Sequence, residues 1–212
     1  VVWNGIDDET APRPDENAAP RLKALKEAGY ELVLFAGRLT LQKGPDYFLR
    51  AAALIAPKHP NALFILAGSG DMERQLMRQA AGLGIGDRVL FPGFLRDHDL
   101  HEAYKTADVY VMPSVSEPFG ITALEAMRVG TPVVLSKQSG VAEAVPGATT
   151  VDFWDVEAMA ERISGILRSA EMRKKLSVEG VRAAAELTWD RAAESVRGIT
   201  RRCARRWMEE MC

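Results

Sequence analysis

The sequence predicts an α/β fold with a doubly wound parallel sheet, and three observations predict it. From residue 21 onward short apolar runs alternate with helical patterns, several runs are apolar at every position, and three of them lead into loops rich in glycine and charge. Alternation of strand and helix gives a parallel sheet, because a parallel pair needs a crossover long enough to hold a helix. A run such as Leu32-Val33-Leu34-Phe35-Ala36 has no wet side, so helices must cover both faces.

The expected strands are residues 32–36, 63–67, 89–91, 109–112 and 133–135. Val1-Val2-Trp3 reads as the end of a strand broken by the Asn4-Gly5 turn signal, and residues 7–20 are acidic, Ala-rich and proline-containing. Residues 1–20 are therefore expected to be an interdomain crossover, residues 21–187 the sheet domain, and residues 188–212 a closing helix. After residue 154 the strands stop, and helices are expected over 155–168, 171–186 and 189–210. In the last, Trp189, Ala193, Val196, Thr200, Cys203 and Trp207 recur at helical spacing, a stripe that needs covering.

The 212 residues carry 27 Lys plus Arg against 29 Asp plus Glu, a net charge of -2, so no global field attracts nucleic acid. A phosphate site must be local. The two cysteines, Cys203 and Cys212, have neither metal-ligand spacing nor a disulfide pattern, which points to a reducing cytoplasm. No apolar run approaches the roughly 20 residues of a membrane span, and membrane association of this domain is not expected. The chain opens on Val1 rather than methionine, which reads as a fragment or processed product.

In an open parallel sheet, ligands bind beyond the C-terminal ends of the strands, so the chemistry belongs in the loops there. The first, Gly37-Arg38-Leu39-Thr40-Leu41-Gln42-Lys43-Gly44, sets two cations between glycines ahead of Pro45, a residue suited to a helix's first turn. Arg38 offers a planar fork and Lys43 a compact charge, a pair suited to a diphosphate. Taken singly, both also read as solvated surface cations. The second loop, Gly68-Ser69-Gly70-Asp71, lets a ligand approach the backbone, but Glu73 stands where a dinucleotide fingerprint needs its last glycine. The alternative is that the glycines only make the turn and Asp71 caps a helix over 72–81. Gly82, Gly84 and Gly86 read as that helix's stop.

The third loop, Pro113-Ser114-Val115-Ser116-Glu117-Pro118-Phe119-Gly120, is the most specific stretch. Gly120 permits close approach at a helix start, and free N–H groups around Gly120, Ile121 and Thr122 make an anion site reinforced by the helix dipole. Glu117 and Glu125 bracket it, eight residues apart, and carboxylates suit vicinal hydroxyls because both oxygens accept. Each alone also reads as an ordinary helix acid.

Together, Gly37-Arg38-Leu39 through Lys43-Gly44, Glu117-Pro118-Phe119-Gly120, Glu125-Ala126-Met127 and Gly130-Thr131-Pro132-Val133-Val134 resemble the retaining glycosyltransferases of family 4. The resemblance runs from Asn4-Gly5-Ile6-Asp7 to Thr188-Trp189. It implies the GT-B architecture, two Rossmann-like domains across a cleft, of which this chain is the C-terminal, donor-binding one. It further implies that Arg38, Lys43 and Glu117 are catalytic, the first two holding the diphosphate and Glu117 the sugar hydroxyls. Gly37, Gly68, Gly70, Phe119, Gly120, Ile121 and Thr122 would line the donor site, Glu125 would hold the ribose, and Phe94 and Leu95 the base. The implied donor is a UDP- or ADP-sugar, with a glucose, glycogen or starch synthase-like lean resting on Glu117-Pro118-Phe119-Gly120-Ile121. The implied acceptor is a glycan or small hydroxyl compound held by the N-terminal domain. Transfer would retain configuration by front-face attack, with no cofactor and no metal. Asp97-His98-Asp99 imitates a metal motif, but it precedes a helical pattern beginning near Leu100 and reads better as a helix cap, with His98 and His101 on the surface. Two further readings remain open, a non-catalytic sugar-nucleotide-binding module and another GT-B enzyme such as a sugar-nucleotide epimerase. A phosphorylase is disfavoured because no pyridoxal lysine is identifiable.

Overall fold

The computed structural model describes residues 19–210 apart from Pro146. Its six strands are β1 (Glu31–Ala36), β2 (Ala62–Ala67), β3 (Val89–Gly93), β4 (Val109–Met112), β5 (Val133–Ser136) and β6 (Thr149–Val151). They lie in the order β3-β2-β1-β4-β5-β6, every neighbouring pair parallel. The helices are α1 (Ala19–Glu27), α2 (Pro45–Ile55), α3 (Glu73–Gly82), α4 (Asp97–Thr106), α5 (Ile121–Arg128), α6 (Gly140–Ala144), α7 (Val156–Arg168), α8 (Ala170–Glu186) and α9 (Trp189–Glu210).

The doubly wound arrangement follows from strands that are apolar on both sides. Val33 and Phe35 of β1 point into one core with Phe48 of α2, Leu76 of α3 and Met159 of α7. Leu32, Leu34 and Ala36 point the other way, into a second core with Leu22 of α1, Tyr104 of α4, Leu124 of α5 and Ala184 of α8. Consecutive side chains of a strand face opposite ways, so each residue of such a run buries against a different helix layer. The chain order reverses between β1 and β4, the place where an open sheet of this kind leaves a crevice.

Four expectations need correction. A sixth strand exists: Thr149-Thr150-Val151 is only three residues long, half-buried at the sheet edge, and too polar to stand out as an apolar run. The helix expected from Leu100 begins at Asp97, so neither aspartate caps it from outside; the Asp99 carboxylate instead accepts from the Ala19 N–H at 3.2 Å, tying α1 to α4. His98 and His101 are half-buried rather than on the surface. Asp71 does not cap α3, whose preceding residue is Met72 and whose start carries no side-chain cap. Of the expected crossover, residues 1–18 lie outside the described residues, while Ala19 and Pro20 already belong to α1. The expected helices over 155–168, 171–186 and 189–210 correspond to α7, α8 and α9.

Helix α9 buries none of its described side chains. Trp189, Val196, Ile199 and Trp207 leave 46%, 51%, 41% and 63% of their surface exposed along one stripe. At 100° per residue, Arg191, Arg197, Arg201 and Arg202 fall on the opposite side. An apolar stripe left open promotes association. The chain is expected to elute from a sizing column above monomer mass at micromolar concentration, and Val196→Glu with Trp207→Glu to restore the monomer. A strictly monomeric profile of the unaltered chain would remove this expectation. No helix among the described residues is long and apolar enough to cross a membrane.

Candidate functional site

At the crevice, three strand-ending loops and two helices enclose a cavity of about 310 Å³. The β1 loop contributes Gly37, Arg38 and Lys43, the β2 loop Gly68 and Ser69, the segment after β3 Phe94 and Leu95, α4 Leu100, and α5 Thr122. The fully buried Leu39 anchors the first loop between its two cations. Its N–H donates to Ser69 O at 2.9 Å and its carbonyl accepts from Met72 N at 3.1 Å, which locks the β1 loop to the β2 loop. Gly68 makes this contact possible. With φ +147° it sits in a region L side chains avoid, and a Cβ there would lie 1.8 Å from the Gly37 carbonyl oxygen.

A single turn of 3-10 helix at Leu41–Lys43 brings Gln42 against the third loop. Val115 N donates to Gln42 O at 2.9 Å, the Gln42 amide donates to Ser116 O at 3.1 Å, and Arg38 Nη2 donates to the Gln42 side-chain oxygen at 3.4 Å. The Lys43 ammonium forms an ion pair with Glu117, two side chains 23% and 11% exposed. Glu117 is itself held by its backbone: its N–H donates to Gln138 O, and its carbonyl accepts from Gly140 N, both at 3.1 Å.

Gly120, at φ +110°, opens α5 with no side-chain cap, so the first N–H groups of this helix remain available to an anion. A Cβ on Gly120 would meet Met112 Cε at 2.8 Å and Val141 Cγ1 at 2.9 Å. Beneath α5, the Tyr110 hydroxyl lies 3.2 Å from the Ala36 carbonyl and 2.9 Å from the Thr122 hydroxyl, joining the end of β1 to the helix. One turn on, the Tyr104 hydroxyl donates to Glu125 Oε2 at 3.2 Å. Burial pushes both phenols up, so each keeps its proton and its donor role. Burial also pushes the Glu125 carboxyl above its ordinary value, and the Tyr104 hydrogen bond pulls part of that back.

Arg38, Lys43, Gly37, Gly68, Phe94, Leu95 and Thr122 thus meet at one cavity, with Phe94 67% exposed and Leu95 buried. Glu117, Phe119, Gly120, Ile121 and Glu125 share the adjoining loop and helix without lining that cavity. Gly70 also lies outside it, its backbone pressed against Leu39, where a Cβ would stand 2.4 Å from the Leu39 carbonyl oxygen. Sequence reading passed over Gln42, Ser69, Leu100, Tyr104 and Tyr110. Gln42 and Ser69 carried a signal, their places in loops already singled out. Among the described residues no group of three or more His, Cys, Asp and Glu could hold a metal ion.

A carboxyl raised above its unfolded value binds its proton more tightly in the native state, so its contribution to stability falls as pH rises through the native value. Glu125→Gln is therefore expected to raise the melting temperature at pH 7, with the gain shrinking as pH falls toward 4. Equal melting temperatures at pH 7 would contradict this account of Glu125.

Residues 19–182 match the family model described as glycosyl transferases group 1. An uncharacterized glycosyltransferase of Methanocaldococcus jannaschii is 50% identical over 115 residues, 54% of this chain and 29% of that protein. The D-inositol 3-phosphate glycosyltransferase of Acidothermus cellulolyticus is 36% identical over 214 residues, 95% of this chain and 47% of that protein. Among solved structures, Anabaena HepE in complex with UDP and glucose superposes with a TM-score of 0.80 at 22% identity, covering 94% of this chain and 56% of that one. The chain spans about half the length, or less, of the curated relatives it matches. On the family match and the shared parallel-sheet architecture of GT-B glycosyltransferases, this chain belongs to the glycosyl transferases group 1 family.

Proposed function

We propose that this chain is the donor-binding half of a retaining hexosyltransferase, holding a UDP- or ADP-sugar whose hexose is glucose. The observation that carries the reading is the meeting of Arg38, Lys43 and Thr122 at one cavity beside the open amino end of α5. Arg38 grips phosphate oxygens through its fork, Lys43 adds a point charge, and the Ile121 and Thr122 N–H groups complete the site. These groups oppose the charge that grows on the departing diphosphate, so leaving-group stabilisation dominates catalysis. Glu117 takes the sugar hydroxyls, Glu125 the ribose, and Phe94 with Leu95 the base. The two cations do the neutralisation, and neither a metal nor another cofactor is required. HepE was solved with UDP and glucose, which supports a uridine diphosphate sugar as donor. Relatives named D-inositol 3-phosphate glycosyltransferase and mannosylfructose-phosphate synthase favour a small hydroxyl acceptor over a glycan. A reducing cytoplasm suits the free, exposed thiol of Cys203.

Titration calorimetry of the chain with UDP, ADP and GDP, with and without EDTA, tests the reading. Saturable binding of at least one nucleotide, unchanged by EDTA, is expected. Binding of none sinks the proposal. Transfer to an acceptor is expected to stay near background with the chain alone, because proximity needs an acceptor held opposite the donor.

A further inference from the structure

The Lys43 ammonium already has an anion, the Glu117 carboxylate, 74 residues away in sequence and brought to it by the fold. The contact is not the wandering of two long side chains. Gln42 ties the Lys43 turn to Val115 and Ser116, and the Glu117 backbone is held on its far side by Gln138 and Gly140. Both side chains are largely withdrawn from water, 23% and 11% exposed, where a charge pair is screened less than on the surface. Yet Lys43 also lines the cavity with Arg38, so a phosphate arriving there meets a cation whose charge is spoken for.

We propose that Glu117 competes with the diphosphate for Lys43, and that this competition makes the site prefer a sugar-bearing donor over the bare nucleoside diphosphate it leaves behind. The inference rests on the donor-site reading above. A phosphate beside Lys43 puts like charge next to the Glu117 carboxylate and costs the protein part of its ion pair. With a donor bound, sugar hydroxyls supply Glu117 with new donors, and the carboxylate exchanges an ammonium for hydroxyl hydrogen bonds. With only the diphosphate bound there are no such hydroxyls, and the carboxylate pulls Lys43 back. After transfer the same carboxylate therefore assists departure of the product, a step that limits many turnovers.

Calorimetry of the unaltered chain and of Glu117→Gln, each with UDP and with UDP-glucose, reads this directly. Glutamine keeps the shape and a carbonyl oxygen that accepts from hydroxyls, but it carries no charge to hold Lys43. Glu117→Gln is expected to bind UDP about tenfold tighter, roughly 1.4 kcal/mol, and UDP-glucose no tighter, so that the preference for the sugar-bearing ligand falls. Weaker UDP binding by Glu117→Gln would overturn the inference, because it would mean that the carboxylate holds Lys43 in place for the phosphate. An unchanged ratio of the two affinities would overturn it as well. If the unaltered chain binds neither ligand, the donor-site reading itself fails. Thermal unfolding of both proteins, with ADP and ADP-glucose as a second ligand pair, keeps the comparison meaningful if the base proves to be adenine.

Discussion

Arg38→Ala combined with Lys43→Ala is expected to abolish nucleoside diphosphate binding by the chain. Hydrogen bonds to charged groups contribute about 1.5–3 kcal/mol each, so either single replacement should weaken binding roughly 10- to 150-fold. On the proposed reading the two act on one diphosphate, so their effects need not add. The Arg38 change should leave stability within about 0.5 kcal/mol, because this side chain is exposed and its hydrogen bond to the Gln42 side chain is long, 3.4 Å. Lys43→Ala differs, because it leaves the largely buried Glu117 carboxylate without its cation and should also lower the melting temperature. Calorimetry with UDP and ADP beside thermal unfolding separates the two effects. A Kd within twofold of the unaltered chain for both single variants would remove these cations from the site.

The largest effect on folding is expected at Gly68. An added methyl would stand 1.8 Å from the Gly37 carbonyl oxygen, and the residue's φ of +147° is foreign to alanine. The obstacle is backbone, not the tip of a flexible side chain, so relief requires the β1 and β2 loops to separate. Gly68→Ala should destabilise the chain by about 3 kcal/mol or more, read as a fall in the urea midpoint. Nucleotide affinity should fall with it, because moving Gly37 moves Arg38. A midpoint unchanged within error would mean that the two loops are not in the close contact described.

Much of this architecture was legible from the chain alone because its determinants are local. The run Leu32-Val33-Leu34-Phe35-Ala36 announces a strand covered on both faces, and the structure sends alternate residues of it into two cores. That the loop carrying Arg38 and Lys43 should open on the crevice follows from the sheet type, which gathers its strand-ending loops, and both side chains line it together with Thr122. Long-range partners were not. Tyr104 and Tyr110 look like ordinary core aromatics in the sequence, and only the packing of α4 and β4 against α5 shows that their hydroxyls reach Glu125 and Thr122. Capping is the local use of an aspartate near a helix start, and the sequence offers Asp97 or Asp99 for it; the partner that Asp99 takes, the Ala19 N–H, is 80 residues away. Thr149-Thr150-Val151 escaped notice because an edge strand needs backbone partners rather than apolar side chains, and β5 provides them.

The arginines of α9 also matter for how the molecule handles. Residues 197–206 hold five arginines and no acid, in a chain whose net charge is -2. The basic end is thus set against an acidic remainder, and the protein has a pronounced electric asymmetry that its near-neutral total conceals. A cation-exchange resin should retain it at pH 7 despite an isoelectric point near 6.0, gripping the molecule by α9.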